Sequence, residues 1–211
     1  MFDEIAPSYD FLNRLLTLGR DVVWRAAAAD AAVDGNQNRV LDVCCGTGDL
    51  AGMLARRGTR AIGADFSLPM LRIAARRRVC VLAADALRLP FPNGSFDGCA
   101  VAFGLRNAAD PAEALREMAR VVRPGGRGVV LEFTRPRNPV VRFYVECVLP
   151  LVGDLLSASR SRAYTYLPRS IGAWKTPREL EALMRGAGFV EVSSRALFPG
   201  VAVLHRGRIP G

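Results

Sequence analysis

The sequence predicts one α/β domain, a mostly parallel sheet with helices on both faces, closed by an antiparallel hairpin. Three observations carry that prediction. Short apolar runs alternate with segments of helical period between Arg39 and Phe133. The first run ends in the glycine-rich turn Gly46-Thr47-Gly48, and the next two end at Asp65 and Asp85. Last, two β-rich runs, Phe189 to Leu197 and Val201 to Leu204, flank Phe198-Pro199-Gly200, as the arms of a hairpin would.

Taken in order, Arg39 to Cys45 (RVLDVCC) is the first expected strand, and Asp49 to Arg57 the helix after its turn. Thr59 to Ala64 gives a second strand. Pro69 to Arg78 fits a short helix, with proline in its first turn where no amide hydrogen is needed. Val79 to Ala84 and Phe96 to Phe103 are the third and fourth strands. Pro111 to Val122 is a helix whose Leu115, Met118, Ala119 and Val122 share one face. Pro124-Gly125-Gly126 then reads as a turn into a fifth strand, Gly128 to Phe133. With the hairpin, seven strands are expected.

A chain of 211 residues can bury a full core, so residues 1–211 are read as one domain. No linker, low-complexity run or solenoid repeat divides it. The opening run MFDEIAPSYD is acidic and lacks the basic and apolar regions of a signal peptide. No eighteen apolar residues run together, so no membrane-spanning helix is expected and the location expected is cytoplasmic. Cysteines 44, 45, 80, 99 and 147 form no CxxC pair, and four lie in strand-like runs. They read as reduced core thiols, with no metal site. The net charge is +9, and 28 of the 29 basic residues are arginine, a sign of compositional bias. The clusters Arg56-Arg57, Arg76 to Arg78 and Arg135 to Arg142 lack the interleaved aromatics of a nucleic-acid groove. They suit solvated helix ends, or a face drawn to anionic lipid.

In an open parallel sheet, ligands bind beyond the carboxyl ends of the strands, where the strand order reverses. Gly46, Thr47 and Gly48 follow the first strand, where missing side chains let a ligand approach backbone N–H groups. Asp65 follows the second, placed to accept both hydroxyls of a ribose. Asp85 follows the third, placed to accept from an exocyclic amine. Together they describe a site for an adenosine nucleoside. GTGDLA also fits the dinucleotide fingerprint G-x-G-x-x-A, which would make the chain an NAD-dependent oxidoreductase. Against that, Asp49 would stand beside a pyrophosphate, and the only lysine, Lys175, has Ile171 rather than tyrosine four residues before it.

The chain resembles the demethylmenaquinone and 2-polyprenylbenzoquinol C-methyltransferases. The residues that carry the resemblance run from end to end in order. They are FDEIAPSYDFLN from Phe2, Trp24-Arg25, VLDVCCGTGD from Val40, ADFSLPML from Ala64 and ALRLPFPNGSFD from Ala86. After these come FGLRN from Phe103, EMARVVRPGG from Glu117, LEF from Leu131, YTYLPRSI from Tyr164, AGF from Ala187 and PGVAVLHRG from Pro199. GTGD and the PGG turn occur in many methyltransferases, whereas FGLRN and GVAVLHRG are particular to quinone methylation. The resemblance implies a Rossmann-like class I methyltransferase that uses S-adenosyl-L-methionine. It implies cofactor contacts at Thr47, Asp65, Asp85 and Ala86, and Ala102 where the family often has serine. It also implies a prenylated quinol substrate, demethylmenaquinol first, with 2-polyprenyl-6-methoxy-benzoquinol or demethylphylloquinol as alternatives. Residues 1–30 would be N-terminal lid helices and residues 138–175 substrate-lid helices. Tyr9, Asn13 and Tyr166 lie in them as substrate contacts, or else as core.

Methyl transfer from a sulfonium is an in-line displacement, and a quinol ring carbon becomes nucleophilic when a neighbouring hydroxyl loses its proton. Arg106 is therefore expected to stabilise the quinolate or hold a water that takes the proton, and Asn107 to hydrogen-bond a ring oxygen. His205, the only histidine, is read first as a packing residue, with catalysis as the alternative. Val140 to Leu156 is apolar but broken by Arg142, Glu146, Pro150 and Asp154, so it suits a prenyl tunnel or peripheral contact with a membrane. Two other classes remain at this point: a non-catalytic cofactor- or lipid-binding subunit, and a methyltransferase for another lipid or for nucleic acid. No Asn/Asp-Pro-Pro-aromatic run of the base-amine enzymes is present.

Overall fold

The computed structural model describes residues 9–33, 39–148 and 174–211. Two helices come first, α1 (Tyr9–Leu16) and α2 (Arg20–Ala32). The alternating core follows as β1 (Arg39–Val43), α3 (Asp49–Ala55), β2 (Arg60–Asp65), α4 (Leu68–Arg76) and β3 (Cys80–Ala83). It continues with β4 (Phe96–Ala102), α5 (Pro111–Val121) and β5 (Val122–Phe133). A short helix α6 (Pro139–Phe143) runs into one π-type turn, Tyr144–Val148. The last elements are α7 (Pro177–Gly186), β6 (Val190–Leu197) and β7 (Ala202–Arg208). Among the described residues, no helix is long and apolar enough to cross a membrane.

The seven strands form one sheet in the order β3-β2-β1-β4-β5-β7-β6. The first five are parallel, and β7 runs antiparallel to both β5 and β6. Helices begin where the sequence supplies a cap. Ser67, Asp110 and Thr176 each accept from a backbone N–H of the first turn, and each of these helices has proline at its start. At α7 the box is complete, since Glu179 also accepts from the Thr176 N–H at 2.7 Å.

Central strands are covered on both sides, which is why they read as unbroken apolar runs. Val129 and Leu131 of β5 face Trp24, Ala28 and Leu54 of the N-terminal helices and α3. Val130 faces the other way, into Leu115, Met118, Leu180 and Met184 of α5 and α7. The Pro124-Gly125-Gly126 turn expected ahead of the fifth strand lies inside it. Val122 already pairs with Phe96, and the next pairs resume at Gly98 and Arg127, so the three residues form a bulge with Gly125 at φ +75°. β7 extends to Arg208, beyond the expected Leu204, because it hydrogen-bonds a strand on each side whatever its side chains. All five cysteines are free thiols. Cys45 and Cys99 are buried and Cys44 half-buried, but Cys80 and Cys147 are exposed, which corrects their reading as core thiols.

Gly128 sets how closely the hairpin approaches β5. A Cβ there would lie 2.2 Å from Cε1 of the buried Phe189. Gly128→Ala is expected to cost about 1–3 kcal/mol in urea unfolding by overpacking, and Phe189→Leu added to it should recover part of that loss. Equal stability of Gly128→Ala and the wild type would show that Phe189 is not held there.

Candidate active site

The chain lays down β1, β2 and β3 in one direction, then returns past β1 to place β4, so the order reverses between β1 and β4. A cavity of about 210 Å³ opens there, lined by Cys44, Gly46, Asp65, Phe66, Asp85, Ala86, Ala102 and Asn107 among others. After β1 the backbone enters the left-handed region at Cys44 (φ +55°), Gly46 (φ +54°) and Gly48 (φ +82°), so the turn curls away from the strand axis. Asp65 at the end of β2 fixes it. Its Oδ2 accepts from the Gly46 N–H at 2.8 Å and its Oδ1 from the Ser67 N–H at 2.9 Å. The same carboxylate lines the cavity. Asp85, exposed at the rim, accepts from the Leu87 N–H at 2.9 Å. Phe66 is 67% exposed and lines the same cavity, offering a flat apolar face to a planar base.

A smaller recess of about 30 Å³ adjoins it, sharing Cys44, Gly46 and Ala102 and adding Arg25, Asp42, Thr47 and Asp49. It pairs buried charges of opposite sign. Arg25 donates to Asp21 at 2.5 Å. Asp42 accepts from the Ala51 N–H at 2.9 Å, yet burial pushes its pKa from 3.8 up to about 8. The Ala51 bond and Arg25 pull that value down, while Asp65 and Asp49 push it further up. α1 is clipped over this recess. Thr47 Oγ1 donates to Asp10 at 2.7 Å, and Arg77 bridges Asp10 and Asp49.

The segment Phe103 to Asn107 forms the corner after β4. Phe103 takes a left-handed turn (φ +61°), and Gly104 lies so close to Cys44 that a Cβ would stand 2.4 Å from the cysteine Cβ. Arg106 turns away from the cavity. Its Nη1 donates to Glu132 Oε1 at 2.7 Å and to the Phe103 carbonyl at 2.6 Å. Glu132 Oε2 also accepts from the Arg106 backbone N–H at 3.2 Å. The guanidinium lies over the Phe133 ring, and its side chain is only 6% exposed.

The structure thus brings Gly46, Asp65, Asp85, Ala86, Ala102 and Asn107 together around one cavity, with Thr47 in the recess beside it. Gly48 shapes the turn behind them. Arg106 lies one layer back, so the expected open fork of donors is engaged by Glu132. His205 is apart from both cavities, which corrects its catalytic alternative. It pairs with Val130 in register, on the face packed by Leu180 and Met184, and burial lowers its pKa. Asn13 is half-buried on α1 and lines neither cavity. The side chain of Tyr9 and all of Tyr166 lie outside the described residues. Sequence reasoning missed Phe66, Asp10, Arg25 and Glu132. It passed over Asp42 as well, although an acid inside an apolar strand was a signal.

The raised pKa of Asp42 has a measurable sign. Between its unfolded value near 3.8 and its folded value near 8, the folded state holds a proton that the unfolded state has lost. Its contribution to stability therefore declines as the pH rises through that window. Asp42→Asn should remove this slope, so the stability of the wild type should fall relative to the variant between about pH 5 and about pH 8. Parallel curves in chemical denaturation would show an ionised Asp42.

Comparisons with known proteins agree with this geometry. A demethylmenaquinone methyltransferase from Thermus thermophilus is 49% identical over 222 aligned positions, covering all of both chains. One from Deinococcus radiodurans is 45% identical, covering 96% of this chain and 88% of its own. Among solved structures, an S-adenosylmethionine-dependent methyltransferase of Thermotoga maritima, described as a possible histamine N-methyltransferase, superposes with a TM-score of 0.74. It shares 23% identity and covers 98% of this chain and 97% of its own, which shows a shared fold. The pattern of the ubiE/COQ5 methyltransferase family matches residues 1–208, and the chain belongs to that family.

Proposed function

We propose that this methyltransferase transfers a methyl group from S-adenosyl-L-methionine to a ring carbon of demethylmenaquinol, giving menaquinol. What carries the reading is the similarity, over the full length of both chains, to a relative named for that reaction. The relatives' names favour a naphthoquinol ring over the benzoquinol alternative.

The donor set fits the cofactor. Asp65 suits the ribose hydroxyls, Asp85 the adenine amine and Phe66 the adenine face. In the adjoining recess, Arg25 suits the carboxylate of an amino-acid end, and the Asp42 carboxyl group can accept from its ammonium. Bound there, the sulfonium supplies an electrophilic methyl group and a neutral leaving group. The protein's own residues do the rest. Asn107, which lines the cavity, holds a ring oxygen of the quinol. Arg106, fixed by Glu132 and the Phe103 carbonyl, braces the corner that carries Asn107. α1, clipped through Asp10, is part of an N-terminal lid that keeps water from the reacting centre, and Tyr9 and Asn13 ride on it. Most of residues 138–175, the substrate-lid segment expected from the sequence, and Tyr166 with it, lie outside the described residues. The prenyl tail of the substrate stays in lipid, so catalysis takes place at a membrane surface.

Two variants separate binding from chemistry. Asp65→Ala should weaken S-adenosylmethionine binding by about 1.5–3 kcal/mol in calorimetric titration, through lost charge-assisted hydrogen bonds. Arg106→Lys keeps the charge but loses the planar fork. It should leave cofactor affinity nearly unchanged and lower turnover of a short-chain demethylmenaquinol by about a hundredfold, because Asn107 is displaced. Unchanged affinity in Asp65→Ala removes that residue from the site. Unchanged turnover in Arg106→Lys removes the role given to Arg106.

A further inference from the structure

The carboxyl edge of the sheet has two unlike halves. Over β3, β2, β1 and β4 it carries the cavity with its acidic residues. Over β5, β7 and β6 it carries something else. β5 ends at Phe133 and leads into α6. β6, parallel to β5 because both oppose β7, ends at Leu197 and leads into the Phe198 turn. Both segments meet the N-terminal helices there. Trp24 Nε1 donates to the Phe198 carbonyl at 2.9 Å, the Arg20 guanidinium lies over the Phe198 ring, and Tyr144 Oη donates to the Leu16 carbonyl at 3.2 Å.

The outer surface of this joined region is apolar. Of the ten large hydrophobic side chains exposed among the described residues, seven belong to it: Phe11, Leu15, Leu18, Val23, Val140, Phe143 and Phe198. Phe11, Leu18, Phe143 and Phe198 are each between 62% and 77% exposed. Such a concentration is unusual for a surface that only faces water. Among the described residues of these segments, five arginines are exposed, Arg14, Arg20, Arg135, Arg137 and Arg142, against one exposed carboxylate, Glu146. Asp10 and Asp21 of the same helices turn inward to Thr47 and Arg25. Apolar tips within a cationic rim match a bilayer with anionic headgroups, where rings enter the acyl boundary and guanidinium groups meet phosphate.

We propose that this surface is the membrane-docking face, seating α1, the start of α2, residues 135–148 and the Phe198 turn on an anionic bilayer. The proposal builds on the prenylated substrate named above. It gives the substrate a route, because the docking half of the edge meets the cavity half at the Phe103–Asn107 corner. A quinol ring at headgroup level would reach Asn107 from the β5 side while its tail stayed in the lipid.

The test uses Leu18→Ser/Phe143→Ser, two exposed positions outside the cavity, with Val190→Ser as a control on another surface. Wild type should sediment with phosphatidylcholine vesicles containing phosphatidylglycerol at low salt and be released by salt near about 0.5 M. The double variant should bind at least about tenfold more weakly, while Val190→Ser binds as wild type. The proposal is overturned if wild type ignores the vesicles or if the double variant binds them equally well. It is also overturned if light scattering shows a wild-type dimer that the double variant abolishes, since the face then belongs to a second copy of the chain. Loss of quinol methylation in wild type that still docks as described would overturn the substrate reading and leave the docking face standing.

Discussion

The carboxylate of Asp65 joins the two loops on which the site is built. One oxygen holds Gly46 in the turn after β1 and the other holds Ser67 at the cap of α4. In the β1 turn the Cys45 N–H donates to the Ala64 carbonyl at 3.1 Å and the Gly48 N–H to the Cys45 carbonyl at 2.9 Å, and Asp65 supplies the acceptor for the Gly46 N–H between them. The residue that makes these bonds also lines the cavity. Parallel pairing of β1 with β2, from Arg39 opposite Arg60 to Val43 opposite Ala64, sets the two loops at one level. Sheet register therefore fixes the ligand geometry, and the loop residues only finish it.

Behind the cavity the protein handles charge by burial in pairs. Arg25 with Asp21 and Arg106 with Glu132 are both nearly shielded from water, at 2.5 and 2.7 Å. Each cation also lies over a ring of one stacked pair, Arg25 over Phe103 and Arg106 over Phe133, whose centroids are 4.4 Å apart. Trp24 meets both rings edge-on. Buried ion pairs contribute little net stability, because desolvation offsets their attraction. Their effect here is positional. They hold two guanidinium groups on either side of Phe103, one facing the small recess and one bracing the corner that carries Asn107. Removing either carboxylate would leave a buried cation without its partner, which is far less favourable than never having the pair.

Much of this was legible in the sequence, for physical reasons. Strands buried on both faces must be apolar throughout, so RVLDVCC and FDGCAVAF identify themselves. Pro69 and Pro111 marked two helix starts, whereas the helix that Thr176 caps was not read from the sequence. The acids at strand ends could be read as a site because a parallel sheet gathers strand ends on one edge. What escaped were pairings between distant residues. Asp10 meets Thr47 across 37 positions and Arg106 meets Glu132 across 26, and no local pattern encodes either contact. For that reason Arg106 was expected as an open donor and is instead a braced one. The Pro124-Gly126 bulge escaped for a different reason: proline and glycine mark a break in any local reading, and only the neighbouring strand β4 shows that pairing continues through it.

Ring-carbon methylation is the central claim, and the position of the new methyl group tests it most directly. The purified protein would be given S-adenosylmethionine carrying a carbon-13 methyl group and a short-chain demethylmenaquinol kept reduced. The product would be resolved by mass spectrometry and carbon NMR. The account predicts one labelled methyl bonded to the quinol ring, with the chemical shift of an aryl methyl carbon. Label on a ring oxygen, or none in the quinol while the cofactor is bound, would contradict it.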